Sequence, residues 1–296
     1  MNIVFGASGF IGSNLINFLQ KKYKNEKFVG ISRTFQNITN KNFFIKIDLR
    51  KFENFKSKNF QQIDKVFMCA GDARVLFNKK KEEKKQIKNN DIIFKNIIKF
   101  CIRQKVKKII FISSSAVYCE KNNYPLLEKQ KLQPQSALGK IKKKHELNLK
   151  RLSKKFKIKI LILRIFTLYG HNMRKDQFIF QVIKKIKNKK KKIIFWNRDT
   201  FRNFMYIGDL VKIIDLLSQR LNSNYKIINI ATEKSIKISE VISLILKLLK
   251  IKKEIIYKKN KNNFSHFVSI AKQNSLIKNF KFTKLNNALK KTLWIT

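Results

Sequence analysis

Three glycines spaced three apart, in Gly6-Ala7-Ser8-Gly9-Phe10-Ile11-Gly12, follow the apolar run Ile3-Val4-Phe5 and open an amphipathic segment from Ser13 to Lys22. That order reads as a tight strand-to-helix turn. Unpaired N–H groups at a helix start, with the helix dipole behind them, suit an anion, and small residues let a diphosphate approach the backbone. The spacing is Gly-x-x-Gly-x-x-Gly, not the better-known Gly-x-Gly-x-x-Gly, and a plain tight turn is the alternative reading. A second signal closes the next strand pattern, Phe28-Val29-Gly30-Ile31, where Ser32-Arg33 stands in place of an acid. An acidic side chain there would accept bonds from a ribose 2′-hydroxyl, whereas a basic one suits a 2′-phosphate, so the pair favours NADP, with NAD as the alternative.

These residues need elements to hold them. Apolar runs at Phe43–Ile47, ending at Asp48, at Asp64–Gly71, at Lys108–Ile112 and at Lys159–Phe166 read as further strands, with helix-period spacing from about Ile87 to Ile102 and about Ser136 to Phe156. Alternating strands and helices predict a doubly wound parallel sheet of Rossmann type, whose ligands sit at the carboxyl ends of the strands. Gly6 to Gly12, Ser32-Arg33, Asp48, Gly71 and Ser113-Ser114-Ser115 all fall on that edge.

Beyond Tyr169-Gly170 the alternation loosens. Helices over Phe178–Ile186, from near Asp209 and over Ser239–Leu249, with Asp209 and Ser239 as caps, mix with strands at Ile193–Trp196 and Ile227–Ile230. A smaller C-terminal α/β substrate domain is expected. The boundaries read as 1–165 for the dinucleotide-binding part, with 203–232 packing back onto it, and 166–202 plus 233–296 for the substrate-binding part.

The 296-residue chain carries 68 basic against 18 acidic residues, a net charge of +50. Lysines lie along almost every helix, and the abundance of Lys, Asn, Ile and Phe with only 8 Gly and 2 Pro matches A/T-rich coding. The charge is therefore read as solvated helix faces, and no specific nucleic-acid partner is expected. Cys69, Cys101 and Cys119 form no metal or disulfide pattern, and no metal is expected. His145 reads as exposed, His171 as a residue at the cleft edge, and Trp196 and Trp294 as packing residues. No basic leader or bilayer-length apolar run is seen, so the reading is cytoplasmic, without a membrane partner.

With these pieces in order, the chain resembles the extended short-chain dehydrogenase/reductases, in particular the NAD(P)-dependent nucleotide-sugar epimerase/dehydratase group. The resemblance rests on the glycine turn, Asp48-Leu49, Ala70-Gly71, Asn90, Ser113–Tyr118, Leu163–Phe166 with Tyr169-Gly170, Arg202–Leu210, Asn229-Ile230-Ala231 and Ala288–Trp294. It implies a cofactor site at Gly6, Ser8, Gly9, Phe10, Ile11, Gly12, Ser32, Arg33, Asp48, Leu49, Ala70, Gly71, Asn90 and Lys142. It also implies a nucleotide-sugar substrate near Ser115, Thr167 and Arg202, and it allows a homodimer.

In that group a Ser/Thr and a Tyr-x-x-x-Lys pair move a proton while hydride passes to or from the nicotinamide. Here Ser115 and Lys142 match, but Leu138 occupies the tyrosine position. Leucine does no acid–base work. Three readings follow: another group supplies the proton (Tyr118, Tyr124, Tyr169 or a lysine-activated water), the protein is a catalytically silent binder, or the reaction handles its proton differently, as in dehydratase relatives without the tyrosine. Thr167 and Asn197-Arg198-Asp199 depart from the group's pattern, while Arg202 matches an arginine directed at the nucleotide diphosphate.

Overall fold

In the computed structural model, which describes residues 1–40, 43–51, 60, 62–74, 80–119, 124–259 and 264–293, the apolar strands are buried on both faces and so pair in parallel between helices. In chain order the first part comprises β1 (Asn2–Phe5), α1 (Phe10–Lys22), β2 (Phe28–Ser32), β3 (Phe44–Lys46), β4 (Lys65–Met68), α2 (Lys80–Arg103), β5 (Lys108–Ser114), α3 (Ala137–Lys155) and β6 (Lys159–Ile165). Then follow β7 (Thr167–Tyr169), α4 (Phe178–Lys187), β8 (Lys192–Trp196), β9 (Phe201–Arg202), β10 (Phe204–Tyr206), α5 (Ile207–Gln219) and β11 (Tyr225–Ile230). The chain closes with β12 (Ile236–Lys237), α6 (Ile238–Leu249), β13 (Glu254–Lys258), α7 (Ala271–Leu276) and α8 (Leu285–Leu293).

Seven strands form one sheet in the order β11-β6-β5-β4-β1-β2-β3, every pair parallel. The side-chain period of two sorts its residues. Ile3, Phe5, Val66, Met68, Ile109, Phe111, Ile160 and Ile162 face α2 and α3 through Phe94, Ile97, Phe100 and Leu149. Val4, Phe67, Ile110, Ile112, Leu161, Leu163, Ile228 and Ile230 face α1 and α5 through Leu15, Ile16, Leu19, Leu210, Ile213 and Ile214. This second core continues into Val182, Phe195, Ile242 and Leu289 of the C-terminal elements. The expected doubly wound sheet is thus present, and its order reverses beside β1, where Phe5 pairs with Ile31 on one side and Met68 on the other. The turn after Phe5 opens at that switch point, the crevice where such sheets bind ligands.

Smaller pairs build the rest: β7 with β10, β8 with β13 in parallel, and β9 with β12 antiparallel. Two helix starts differ from the expectation. α5 begins at Ile207, so Asp209 lies inside its first turn, 2% exposed, and accepts from the Thr283 backbone N–H (2.8 Å) and hydroxyl (2.7 Å). It fastens the segment before α8 instead of capping its own helix. α6 begins at Ile238, so Ser239 lies inside its first turn and no side chain caps the helix; the Ser239 N–H donates to the Arg198 carbonyl at 3.2 Å. Trp294 lies outside the described residues. Among the described residues no helix is long and apolar enough to cross a membrane.

Candidate active-site cleft

A cleft of about 1020 Å³ runs along the carboxyl edge of the sheet and under the C-terminal elements. At one end stand Gly9, Phe10 and Ile11. Gly6 adopts φ +78°, and a Cβ there would lie 2.6 Å from the Ala70 backbone; a Cβ on Gly12 would lie 2.1 Å from the Gly6 carbonyl oxygen. Strand, helix and the loop after β4 therefore meet backbone to backbone, which only glycine permits. α1 starts at Gly9, which offers no side-chain cap, so the first N–H groups of the helix are left for an anion beside the cleft. This is the fit a dinucleotide diphosphate requires.

Asn90, 6% exposed on α2, accepts from the Asp72 N–H (2.8 Å) and donates to the Asp72 carbonyl (2.9 Å), pinning the Ala70-Gly71 loop that borders the cleft. Ser8, Ser32, Arg33, Asp48 and Leu49 lie on the adjoining strand ends, outside the wall of this cleft. There the Ser8 and Ser32 hydroxyls are 2.5 Å apart and Thr34 donates to Ser8 at 3.1 Å. Arg33 is exposed. Arg50 grips Asp48 through Nε and Nη2 (2.6 Å to Oδ2) and holds its carboxyl down to about 2. Leu49 is buried, its carbonyl accepting from Asn96 at 3.1 Å.

At the centre of the cleft is α3. Its N-cap Ser136 accepts from the Gly139 N–H at 3.1 Å, and Gly139 packs so closely that a Cβ would lie 2.0 Å from the Ala116 carbonyl oxygen. That contact presses the helix onto the segment carrying Ser115. Four-residue spacing then sets Leu138, Lys142 and Glu146 on one face. Glu146 is buried and takes a two-pronged bond from Arg164 of β6 (Nη2 to Oε2 2.7 Å) and one from Ser113 (2.5 Å), a strut beneath the site. Lys142 is half-buried on the cleft, its Nζ donating to the Ile112 carbonyl at 2.6 Å and lying 4.5 Å over the Phe111 ring. Burial lowers its amine to about 8. Ser115 borders the same space, half-buried.

Leu138, 4% exposed, forms wall where a phenol was sought. Of the three tyrosines considered, only Tyr118 borders the cleft, and its hydroxyl donates to Asn229 Oδ1 (2.8 Å) while accepting from Arg164 Nη1 (2.8 Å). Tyr124 is outside the wall with its hydroxyl on the Ser265 carbonyl at 2.7 Å, and Tyr169 is outside it and 1% exposed, its phenol pushed up by burial.

The far end holds Thr167 and Arg202. The Nη1 of Arg202 is buried without a hydrogen-bond partner among the described residues, and burial draws the guanidinium down to about 10. His266 stands in the same wall, a residue that no motif singles out among the scattered histidines. Three expectations are corrected here. His145 is 3% exposed, stacked flat on Phe94 (3.9 Å, 5°) because it falls on the apolar face of α3, and burial pushes its imidazole down to about 3. His171 is exposed and does not border the cleft; its carbonyl accepts from Asn14 at 2.9 Å. Trp196 is 49% exposed at the cleft rim, not packed. Cys69 also borders the cleft, its thiol pushed up to about 12 by burial, so it carries no thiolate.

The model of the NAD dependent epimerase/dehydratase family matches residues 2–231. A putative UDP-glucose 4-epimerase of Methanocaldococcus jannaschii is 27% identical over 287 residues, covering 93% of this chain and 92% of that protein. The UDP-glucuronic acid 4-epimerase of Bacillus cereus, solved with UDP-glucuronic acid and NAD, superposes with a TM-score of 0.87 at 27% identity, covering 100% of this chain and 98% of that one. UDP-N-acetylglucosamine 4-epimerase of Methanobrevibacter ruminantium M1, solved with UDP-N-acetylmuramic acid, does so with a TM-score of 0.85 at 26% identity over 99% and 97% of the two chains. By sequence, sheet order and the glycine-lined switch point together, the chain belongs to the NAD dependent epimerase/dehydratase family.

Proposed function

We propose that the chain is a nucleotide-sugar epimerase or dehydratase that moves its proton through Lys142 and Ser115, without a phenol. The observation that carries this reading is the half-buried amine of Lys142, titrating near 8 in a cleft where Leu138 is the neighbouring wall. The dinucleotide would lie across Gly6–Gly12, Ala70 and Gly71, its diphosphate on the α1 N-terminus. Its adenosine ribose would reach Ser8, Ser32, Arg33, Asp48 and Leu49. The sugar nucleotide would lie between Ser115 and Thr167, with its phosphates toward Arg202. The proposed division of labour assigns the cofactor to 1–165 and the substrate mainly to 166–202 and 233–296.

When bound, the nicotinamide supplies a hydride acceptor and donor. The chain supplies the rest. Ser115 donates a hydrogen bond to the reacting sugar oxygen. Neutral Lys142 takes the proton from that hydroxyl as the carbonyl forms, and its ammonium returns it in the reverse step. One N–H on the Ile112 carbonyl holds the amine in place and leaves its lone pair for the transfer. A base near neutrality suits this exchange. Arg33 and the Ser8–Ser32–Thr34 hydroxyls, with no acid at the end of β2, further favour NADP over NAD.

The presence of Leu138 favours a second reading, a silent dinucleotide- and sugar-nucleotide-binding protein. Calorimetric titration with NADH and NADPH, followed by assay of 4-keto or epimerised product from UDP-glucose and UDP-glucuronic acid, separates the two. Turnover that is lost in Lys142→Met supports the enzyme. Binding without turnover supports the silent reading, and no binding of either dinucleotide defeats both.

A further inference from the structure

Two buried polar atoms in the far wall of the cleft have no partner among the described residues: Arg202 Nη1 and His266 Nδ1. Folded proteins seldom leave such groups unmatched, so two of them in one wall call for a ligand. Neither is loose. The His266 N–H donates to the carbonyl of Phe201, the residue before Arg202, at 3.0 Å, and the Ser235 hydroxyl donates to the His266 carbonyl. The ring is fenced edge-on by Phe166 (5.5 Å, 81°) and Phe264 (5.2 Å, 74°). β9, which carries Arg202, is itself paired to β12 at Ile236↔Arg202. Histidine and arginine are thus built as one unit.

Arginine is only a donor. Burial, and after it the Arg202 charge, keeps the His266 imidazole neutral, so His266 can present Nδ1–H without adding a second full charge. Two donors, one charged and one neutral, fit an oxygen-rich anion. Resting on the nucleotide-sugar reading above, we propose that His266 is a second binding residue for the substrate diphosphate, donating from Nδ1 beside Arg202. A sugar carboxylate has the same acceptor chemistry, and the test separates it.

The test is calorimetric titration of the full chain with uridine diphosphate and, separately, with NADPH. His266→Ala is expected to weaken uridine diphosphate about tenfold, the loss of one hydrogen bond to a charged group, while NADPH affinity stays unchanged. His266→Asn, whose amide nitrogen takes the place of Nδ1, should restore most of it, and His266→Gln should not. Equal uridine diphosphate affinity in wild type and His266→Ala overturns the proposal, whether His266 reads a sugar carboxylate or nothing. Parallel losses for uridine diphosphate and NADPH overturn it too, as the mark of a structural role. Should wild type bind no uridine diphosphate at all while NADPH binds, the nucleotide-sugar reading fails first.

Discussion

Two of the helices that line the cleft, α1 and α3, begin in opposite ways. α1 follows a glycine N-cap that offers no side chain, its first N–H groups left over, while the Ser136 cap of α3 takes the Gly139 N–H. One helix serves through its backbone and the other through side chains at positions 138, 142 and 146. A backbone site depends only on the absence of Cβ atoms and tolerates no substitution at the contact. A side-chain site keeps its scaffold when one side chain changes, which is how Leu138 can stand in the wall with Lys142 while Glu146 and Arg164 brace the helix from beneath.

Gly12→Ala breaks the comparison hardest. A Cβ placed 2.1 Å from the Gly6 carbonyl must push turn and helix apart, so a loss of about 3 kcal/mol in urea unfolding and abolished dinucleotide binding are expected. Lys142→Met should leave the fold in place and lower turnover about 100-fold or more, read by product formation.

Acid adds a second contrast, because two histidines line the cleft away from the glycine turn, His145 on α3 and His266 in the far wall. The imidazoles of His145 and His266 are held at about 3 in the folded protein, against an unperturbed value of about 6.5. The unfolded chain therefore binds the extra protons between those values, so stability is full above pH 6.5 and falls on acidification toward pH 3. At pH 5 each histidine accounts for about 2 kcal/mol, and urea melts at pH 7 and pH 5 should show the drop. His145→Phe, which can still stack on Phe94, should remove about half of it. The smallest effect is Arg33→Ala: an exposed charge near a 2′-phosphate is worth about 1 kcal/mol, so NADPH should weaken about fivefold with NADH unchanged. Equal losses would contradict the 2′-phosphate contact.

The same contrast explains what could be read from the chain alone. The glycine turn, the strand ends and the sheet were legible because close backbone contact and doubly buried strands leave local marks: Gly6 and Gly12, and unbroken runs such as Ile109 to Ile112. Lys142 and Leu138 were legible as positions on a helix, since four-residue spacing fixes a face. His145 was misjudged because three lysines precede it at Lys142, Lys143 and Lys144, and their charge hides the apolar face shared by Ile141, His145 and Leu149. Asp209 carries a cap-like signature, but its partner Thr283 lies 74 residues away and leaves no local trace. His266 and Arg202 are brought together by bonds between their neighbours 64 residues apart, the Phe201 N–H donating to the Ser265 hydroxyl, and no spacing rule reaches that far.

The account stands on proton transfer by Lys142 in the absence of a phenol. Its most direct test is a stopped-flow record of nicotinamide absorbance when NAD- or NADP-loaded protein meets UDP-glucose or UDP-glucuronic acid, taken from pH 6 to 10. Transient reduction is expected, at a rate that rises through an apparent pKa of about 8 in wild type, vanishes in Lys142→Met, and loses that pH dependence in Leu138→Tyr. No reduction at any pH in wild type, with reduction appearing only in Leu138→Tyr, would contradict it.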